Sequence, residues 1–144
     1  MQRPTTKNRH MAASLRTISL FESCSDAELR RIDGLLTRLE IEAGQTLLSE
    51  GAIGRQFVII AAGWARVTRA GVELGLLGPG SFFGEMALLG TPQRTATVSA
   101  ICPMVVETVN PGEFRELLRA APSVYEKVTR AVVDRAAMNE NVFR

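Results

Sequence analysis

Eight glycines interrupt the apolar segments between Ile41 and Gly80, and their spacing constrains the fold more than any other feature of the sequence. Apolar runs this short cannot build a long amphipathic helix, whereas tight turns between short antiparallel strands commonly require glycine. The pattern predicts a buried strand at 57–60, a hairpin over 64–72 that turns near Ala70 and Gly71, and further strands over 95–100 and 104–109.

Helices are predicted before this region. Ser25 followed by Glu28 is the signature of a capping box, in which each side chain binds the backbone N–H of the other residue. The helix that it opens would carry one apolar face, formed by Leu29, Ile32, Leu35, Leu36 and Leu39. Apolar residues at helical spacing also favour a short helix within 11–21.

Two helices are predicted after the strands. Asn110, Pro111 and Glu113 place an N-cap, a first-turn proline and a reciprocal glutamate in order. Pro122 interrupts this helix and begins a longer one, whose apolar residues at i, i+4 spacing are most simply core positions. Dimerisation through this last helix is the competing interpretation.

A run of short strands with helices segregated to both ends predicts an α+β chain. Glycine turns between many short strands favour a small antiparallel β-barrel or jelly roll of about eight strands, flanked by the N- and C-terminal helices. We expect a flexible N-terminal arm over 1–12 and one domain over 13–144.

The composition excludes several classes of function. The 144 residues are 46% apolar and 22% charged, with a net charge of +2, which is typical of one globular domain. The sequence contains no run of five or more basic residues, which would predict a nucleic-acid surface. It also contains no stretch of 18 apolar residues, which would predict a membrane span. Two distant cysteines and one histidine suggest neither a disulfide framework nor a metal or catalytic centre, so we expect a cytoplasmic protein that is not an enzyme.

The segment SFFGEMALLGTPQRTATVSA, residues 81–100, carries the groups of a candidate anion site. Gly84 lets a ligand approach the backbone closely, and the helix formers after it predict a short turn whose free N–H groups attract an anion. Arg94 can donate to two phosphate oxygens, and Thr95 adds a hydroxyl. One positive charge suits a phosphodiester better than a triphosphate, for which the GxxxxGK[ST] loop is missing from the sequence.

Glu85 would repel a phosphate, so we expect it to face another part of the ligand. An ionised carboxylate only accepts hydrogen bonds, and a sugar hydroxyl would satisfy it, as in dinucleotide-binding folds. Glu85 and Arg94 together predict a compact ligand that carries a hydroxyl and one phosphate charge.

The segment FGEMALLGTPQRTATVSA closely resembles the phosphate-binding cassette of cyclic nucleotide-binding domains, the family of the cAMP receptor protein, the protein kinase A regulatory subunits and the cyclic-nucleotide-gated channels. The resemblance extends through LFESCSDAELRRI, AGQTLLSEGAIGRQFVIIAAGWARV and LGPGSFFGE, and covers roughly residues 14–135. The segment GAIGR at 51–55 departs from the family, which usually carries acidic residues around the second glycine. This departure affects a turn-stabilising network rather than the ligand site.

The resemblance implies a role for each matching position of the cassette. Glu85 would accept a hydrogen bond from the ribose 2′-hydroxyl, while Arg94 would pair with the exocyclic phosphate oxygens and Thr95 would donate to the phosphate. Backbone groups near the sugar and the phosphate would come from Gly84, Met86 and Ala87.

The resemblance also implies how the base is bound. It would lie against strand residues Val67, Leu74 and Leu77, and the C-terminal helix would close over it through Arg135 or a neighbouring residue. The implied function is a cyclic-nucleotide sensor without a cofactor, whose C-terminal helix signals to an effector protein that the sequence does not identify. The implied ligand is cAMP first, with cGMP open because the Thr95 hydroxyl can meet the guanine amino group.

Two alternatives to this sensor remain at the level of the sequence. One is a protein-interaction module that has the same barrel but binds no nucleotide. The other is the sensor part of a transcription regulator, which would need a helix-turn-helix after the long helix. No such motif follows in this sequence, so we do not expect DNA binding.

Overall fold

The computed structural model describes residues 3–4, 15, 17–51, 56–85 and 96–142, and it describes side chains within 15–135 of these ranges. The described strands are β1 (Arg3–Pro4), β2 (Thr37–Ile41), β3 (Thr46–Leu48), β4 (Phe57–Ala62), β5 (Ala65–Arg69), β6 (Val72–Leu77), β7 (Phe82–Phe83), β8 (Thr97–Ala100) and β9 (Met104–Val109). The described helices are α1 (Asp26–Asp33), α2 (Pro111–Ala120), α3 (Pro122–Val142) and a 3-10 helix at Ser19–Phe21.

The strands form two antiparallel sheets. One has five strands in the order β1-β2-β9-β4-β7, and the other has four in the order β3-β8-β5-β6. Apolar side chains from both sheets meet in one interior, which we call the barrel core: Ile41, Val58, Ile60, Ala65, Phe83, Val98, Ala100, Met104 and Val106. The predicted α+β fold, a small antiparallel barrel flanked by helices, is confirmed.

The helices cover the outer face of the five-stranded sheet and make a second core there. Successive strand residues point to opposite faces, so Val58 of β4 enters the barrel core while Phe57 and Ile59 pack against the helices. Residues 57–60 are consequently buried on both faces. This helical core also contains Phe114 and Leu117 of α2 and three valines of α3, Val124, Val128 and Val132.

Both predicted capping boxes are present. The N–H of Glu28 donates to Ser25 Oγ at 3.1 Å, and the N–H of Ser25 donates to the Glu28 carboxylate at 2.8 Å. The same reciprocal pair joins Asn110 and Glu113 at the start of α2, at 2.8 and 2.9 Å. Each box satisfies two backbone donors that a helix start would otherwise leave without a partner.

The predicted length of the helix that begins after Ser25 was wrong. Helix α1 ends at Asp33 with Gly34 as its C-cap, and Leu39 lies in β2 opposite Val106 of β9. The apolar residues after Gly34 match a helical face by spacing. Leu35 and Leu36 lie between the helix and β2, and Leu39 belongs to a ladder that pairs five residues of β2 with β9, which the local pattern does not show.

Several other local predictions are confirmed, whereas the strand predicted over 95–100 begins only at Thr97, as β8. The buried strand at 57–60 lies in β4, and the hairpin between β5 and β6 turns at Ala70 and Gly71, which have φ values of 51° and 79°. Positive φ at both positions fits a tight hairpin turn. In the first predicted helix, Ser19–Phe21 forms a 3-10 helix, while 11–14 and 16 lie outside the described residues.

The N-terminal arm contributes the short strand β1, in which Arg3 lies opposite Glu40 of β2. Most of 1–12 lies outside the described residues, and the proposed domain boundaries remain a prediction. None of the described helices combines the length and apolar character that crossing a membrane requires.

Candidate functional site

The short strand β7 places Glu85. Phe82 and Phe83 pair with Ile59 and Val58 of β4, which fixes β7 at the edge of the five-stranded sheet. Gly84 follows with a φ of 96°, a conformation that glycine adopts without steric cost. The chain therefore turns off the sheet edge at Gly84 and directs Glu85 inward, where the residue is only 1% exposed.

The carboxylate of Glu85 contacts the long C-terminal helix. Arg135 Nη1 of α3 donates a hydrogen bond to Glu85 Oε1 and forms an ion pair with it. The Arg135 guanidinium also lies 5.3 Å from the centre of the Phe82 ring, within range of a cation–π interaction. Arg135 thus contacts both the acid of the candidate site and the strand that positions this acid.

A row of aromatic rings continues from this contact into the helical core. Phe82 and Phe57 have ring centres 5.4 Å apart, and Phe57 stacks on Phe114 at 4.4 Å with a 17° interplanar angle. Phe114 belongs to α2, so the row connects β7 with the helix that precedes α3. Phe83, the residue directly before Gly84, points to the opposite face of β7 and packs into the barrel core.

The predicted base-side residues lie on the four-stranded sheet. Val67 and Leu77 are partly buried and pack against the barrel core. In the β5–β6 ladder, Val67 lies opposite Gly75 and Leu77 lies opposite Ala65. Leu74 is 44% exposed on β6, the edge strand. The register of β5 and β6 shifts between Val67 and Thr68, which is typical of a β-bulge that redirects a side chain.

The predicted phosphate-binding residues Met86, Ala87, Arg94 and Thr95 lie outside the described residues. The structure fixes the two ends of the segment that holds them: Glu85 precedes it, and β8 begins soon after it at Thr97. Their roles toward a phosphate remain predictions. Glu85 and Arg135 were predicted for different parts of the ligand, the ribose and the base, and the structure brings their side chains into direct contact.

The described charges of the candidate site are one carboxylate and one guanidinium, those of Glu85 and Arg135. The predicted phosphate contact of Arg94 would add one positive charge, which would suit a small anion. A carboxylate has about four lone-pair positions, so Glu85 can accept from a ligand hydroxyl while it binds Arg135. In the described part of the chain, no group of three or more histidine, cysteine or acidic residues is placed to hold a metal ion.

A second buried ion pair lies away from these residues. Glu107 of β9 is 3% exposed and binds Arg38 of β2, with Arg38 Nε donating to Glu107 Oε2 at 2.8 Å. Buried carboxylates are rare unless they are paired. Burial of a carboxylate therefore does not by itself identify a ligand site. Glu85 is a candidate because it follows Gly84 at the start of the segment predicted to bind phosphate.

Sequence reasoning missed two contributors. Neither Phe82 nor Glu50 was singled out from the sequence, although Phe82 contacts Arg135 and Glu50 contacts β8 and the hairpin. The signal for Phe82 was its position two residues before the glycine that turns the chain. No local signal distinguishes Glu50, because its partners lie 20 and 47 positions away.

A comparison with protein families decides the classification. The family model described as cyclic nucleotide-binding domain matches residues 38–121, which is more than half of the chain. The chain belongs to the cyclic nucleotide-binding domain family. The family expected from the cassette motif is therefore confirmed, and Glu85 lies within the matched region of this cyclic nucleotide-binding domain.

Individual relatives agree with this assignment. The chain is 36% identical to the cAMP-dependent protein kinase regulatory subunit of Eremothecium gossypii over 105 residues, which covers 72% of this chain and 23% of that protein. The solved structure of the Thermus thermophilus Catabolite Activator Protein shares 26% identity with a TM-score of 0.71, covering 85% of this chain and 60% of that one. A cAMP-binding acyltransferase from Mycobacterium smegmatis shares 27% identity with a TM-score of 0.73, covering 90% and 42%. The chain spans about a quarter to a third of the curated relatives that it matches.

Proposed function

We propose that this chain is a cyclic-nucleotide sensor module, with cAMP as the first-choice ligand and cGMP as the alternative. The observation that carries the proposal is the buried carboxylate of Glu85, which follows Gly84 directly and introduces the segment that contains Arg94. The family match and the relatives described by their names as cAMP-dependent or cAMP-binding support the choice of ligand.

The recognition chemistry follows from the charges. The ribose 2′-hydroxyl donates to Glu85, and Arg94, aided by Thr95 and by backbone N–H groups at Gly84, Met86 and Ala87, binds the phosphate. Glu85, Arg94 and Arg135 together carry one net positive charge, which balances the single negative charge of a cyclic phosphate. The base lies against Val67, Leu74 and Leu77, whose partly exposed apolar surface it covers.

The signal passes through α3. A nucleotide on Glu85 shares this carboxylate with Arg135, so the free energy of binding depends on where α3 lies. A ligand shifts a conformational equilibrium only through its different affinities for the two states. An effector protein then reads the position of α3, and the module regulates without catalysing a reaction. Cys24 and Cys102 take part in no disulfide, which is consistent with a cytoplasmic location.

Calorimetry with cAMP and cGMP tests the proposal. We expect the wild-type chain to bind at least one of them with micromolar or tighter affinity, and the Arg94→Ala variant to lose this binding. The matched control is Arg66→Ala, because Arg66 is half-exposed on the β5–β6 hairpin and pairs with Glu73 there. Binding that survives Arg94→Ala would contradict the assigned phosphate contact.

The two rival functions are outcomes of the same measurement. A folded wild-type chain that produces no heat with either nucleotide would be an interaction module with the fold of the family. A salt-dependent gel shift with DNA would favour the transcription-regulator alternative. Dimerisation through α3 stays a prediction, and sedimentation with and without nucleotide tests it.

A further inference from the structure

Glu50 lies two residues after β3 and joins two segments that are distant in sequence. The N–H of Ala70, at the tip of the β5–β6 hairpin, donates to both carboxylate oxygens of Glu50, at 3.1 and 3.2 Å. Thr97 Oγ1, at the start of β8, accepts a hydrogen bond from the Glu50 N–H at 3.0 Å and lies 3.5 Å from Glu50 Oε1. A single residue therefore connects the end of β3, the hairpin tip and the start of β8.

The hairpin tip has a conformation that benefits from this contact. Ala70 has a φ of 51°, and among the described residues it is the only non-glycine residue with a positive φ. A side chain with a Cβ disfavours this region of backbone conformation. A charged acceptor on the Ala70 N–H offsets this cost, so Glu50 stabilises the turn that aligns β6 against β5.

The second contact lies next to the predicted phosphate-binding residues. Thr97 is the first residue of β8 and follows Arg94 by three positions. Thr97 also pairs with Thr68 of β5, near the same hairpin tip. The place where the chain rejoins the four-stranded sheet after Arg94 is thus fixed from one side by Thr68 and from the other by Glu50.

We propose that Glu50 is a positioning residue of the nucleotide site. Its carboxylate holds the hairpin that bears Leu74 and Val67 against the start of β8, and so fixes these base-side residues relative to the point where the chain enters β8 after the predicted phosphate-binding segment. Glu50 does not touch the nucleotide. This inference rests on the proposed function and adds to it a residue that lies outside the cassette.

Calorimetric titration of cAMP into matched variants tests this role. We expect Glu50→Ala to weaken binding about tenfold, since it removes charge-assisted hydrogen bonds from the framework of the site. Glu50→Gln keeps one carbonyl oxygen for the Ala70 N–H, and we expect about a threefold loss. The control Glu73→Ala removes another exposed carboxylate, one that lies on the β5–β6 hairpin, and its affinity should stay within about twofold of wild type.

Two further measurements separate positioning from general stability. Ala70→Gly added to Glu50→Ala relaxes the tip and recovers part of the affinity, since glycine adopts a positive φ without the carboxylate. Hydrogen exchange of the ligand-free protein shows faster exchange at the Ala70 amide in Glu50→Ala. If Glu50→Ala does not fold, Glu50→Gln supplies the comparison.

The outcomes distinguish the two proposals. Wild type that binds cAMP while Glu50→Ala binds it equally well overturns the role of Glu50 and leaves the sensor function standing. Wild type that binds neither cyclic nucleotide overturns the sensor function, and the role of Glu50 with it. An affinity loss confined to the Glu50 variants, with Glu73→Ala unchanged, supports the positioning role.

Discussion

Glu85 and Arg135 are 50 positions apart in the sequence and form an ion pair in which the carboxylate is buried and the guanidinium is one-third exposed. The pair joins Glu85, near the start of the cassette, to α3. Because removal of one member leaves the other in a poorly solvated place, the pair connects the stability of the fold with the properties of the site.

Arg135→Ala should lower both stability and affinity. It leaves the Glu85 carboxylate buried without this partner, and we expect the free energy of unfolding to fall by about 2–3 kcal/mol. It also removes one positive charge from an anion site, so cAMP affinity should fall about tenfold. Urea unfolding and calorimetry measure the two effects.

The control for Arg135→Ala is Arg38→Ala, which removes an ion-pair partner from Glu107, another buried carboxylate. This variant should lose a comparable amount of stability and keep the affinity of wild type. Equal affinity losses in the two variants would mean that Arg135 acts through stability alone.

Glu85→Gln should abolish the response of the protein to the ribose 2′-hydroxyl. The substitution preserves size but replaces a charged acceptor by a neutral one, and we expect cAMP to bind about tenfold more weakly. Wild type should discriminate by a similar factor against 2′-deoxy-cAMP, whereas Glu85→Gln should bind both nucleotides alike. Calorimetry of the four combinations forms a double-mutant cycle. Unchanged discrimination in Glu85→Gln would assign the hydroxyl to another residue.

Phe57→Leu should destabilise the contact between the five-stranded sheet and the helices. Phe57 is 1% exposed and stacks on Phe114, and the loss of an aromatic pair with part of the buried volume should cost about 1–2 kcal/mol. Tyr125→Leu is the control, since Tyr125 is 54% exposed on α3 and its replacement should change stability by less than about 0.5 kcal/mol. Urea denaturation compares them, and equal midpoints would show that the stack contributes nothing.

Gly63→Ala should be far more disruptive than Gly44→Ala. Both glycines have a positive φ, 89° and 85°, so both substitutions strain the backbone by about 1–2 kcal/mol. A Cβ at Gly63 would also come within 2.5 Å of the Pro103 carbonyl oxygen, whereas a Cβ at Gly44 meets no atom within 4 Å. Thermal unfolding should separate the two variants clearly. A melting temperature of Gly63→Ala equal to that of Gly44→Ala would contradict this packing.

Features that depend on neighbouring residues were predictable from the sequence. The capping boxes at Ser25 and Asn110 each need two residues three positions apart, and a hairpin turn depends on its own two central residues. Gly84 and Glu85 were identified in the same way, from adjacent residues of one motif. These elements form wherever their local chemistry is present, so the sequence contains enough information to predict them.

Features that depend on distant partners were not predictable. Leu39 matches the face of helix α1 by spacing, but its pairing with Val106 of β9 decides its conformation. Arg135 was expected near the site, but the helical pattern could not say that Glu85 would be its partner. No sequence pattern marked Glu50, because its hydrogen bonds to Ala70 and Thr97 form only when three segments that are distant in sequence come together in the fold.

The division of the apolar interior into two cores on opposite faces of one sheet has a mechanical consequence. Among the residues that the structure describes, the core formed with the helices contains none from the four-stranded sheet, so we expect the helices to be able to tilt or slide while the barrel keeps its shape. Such a movement would change the packing of the helical core alone, because strand β4 separates this core from the barrel core. In the sensor that we propose, nucleotide binding at the barrel would be transmitted as a displacement of the helices, and the barrel itself would not need to change shape.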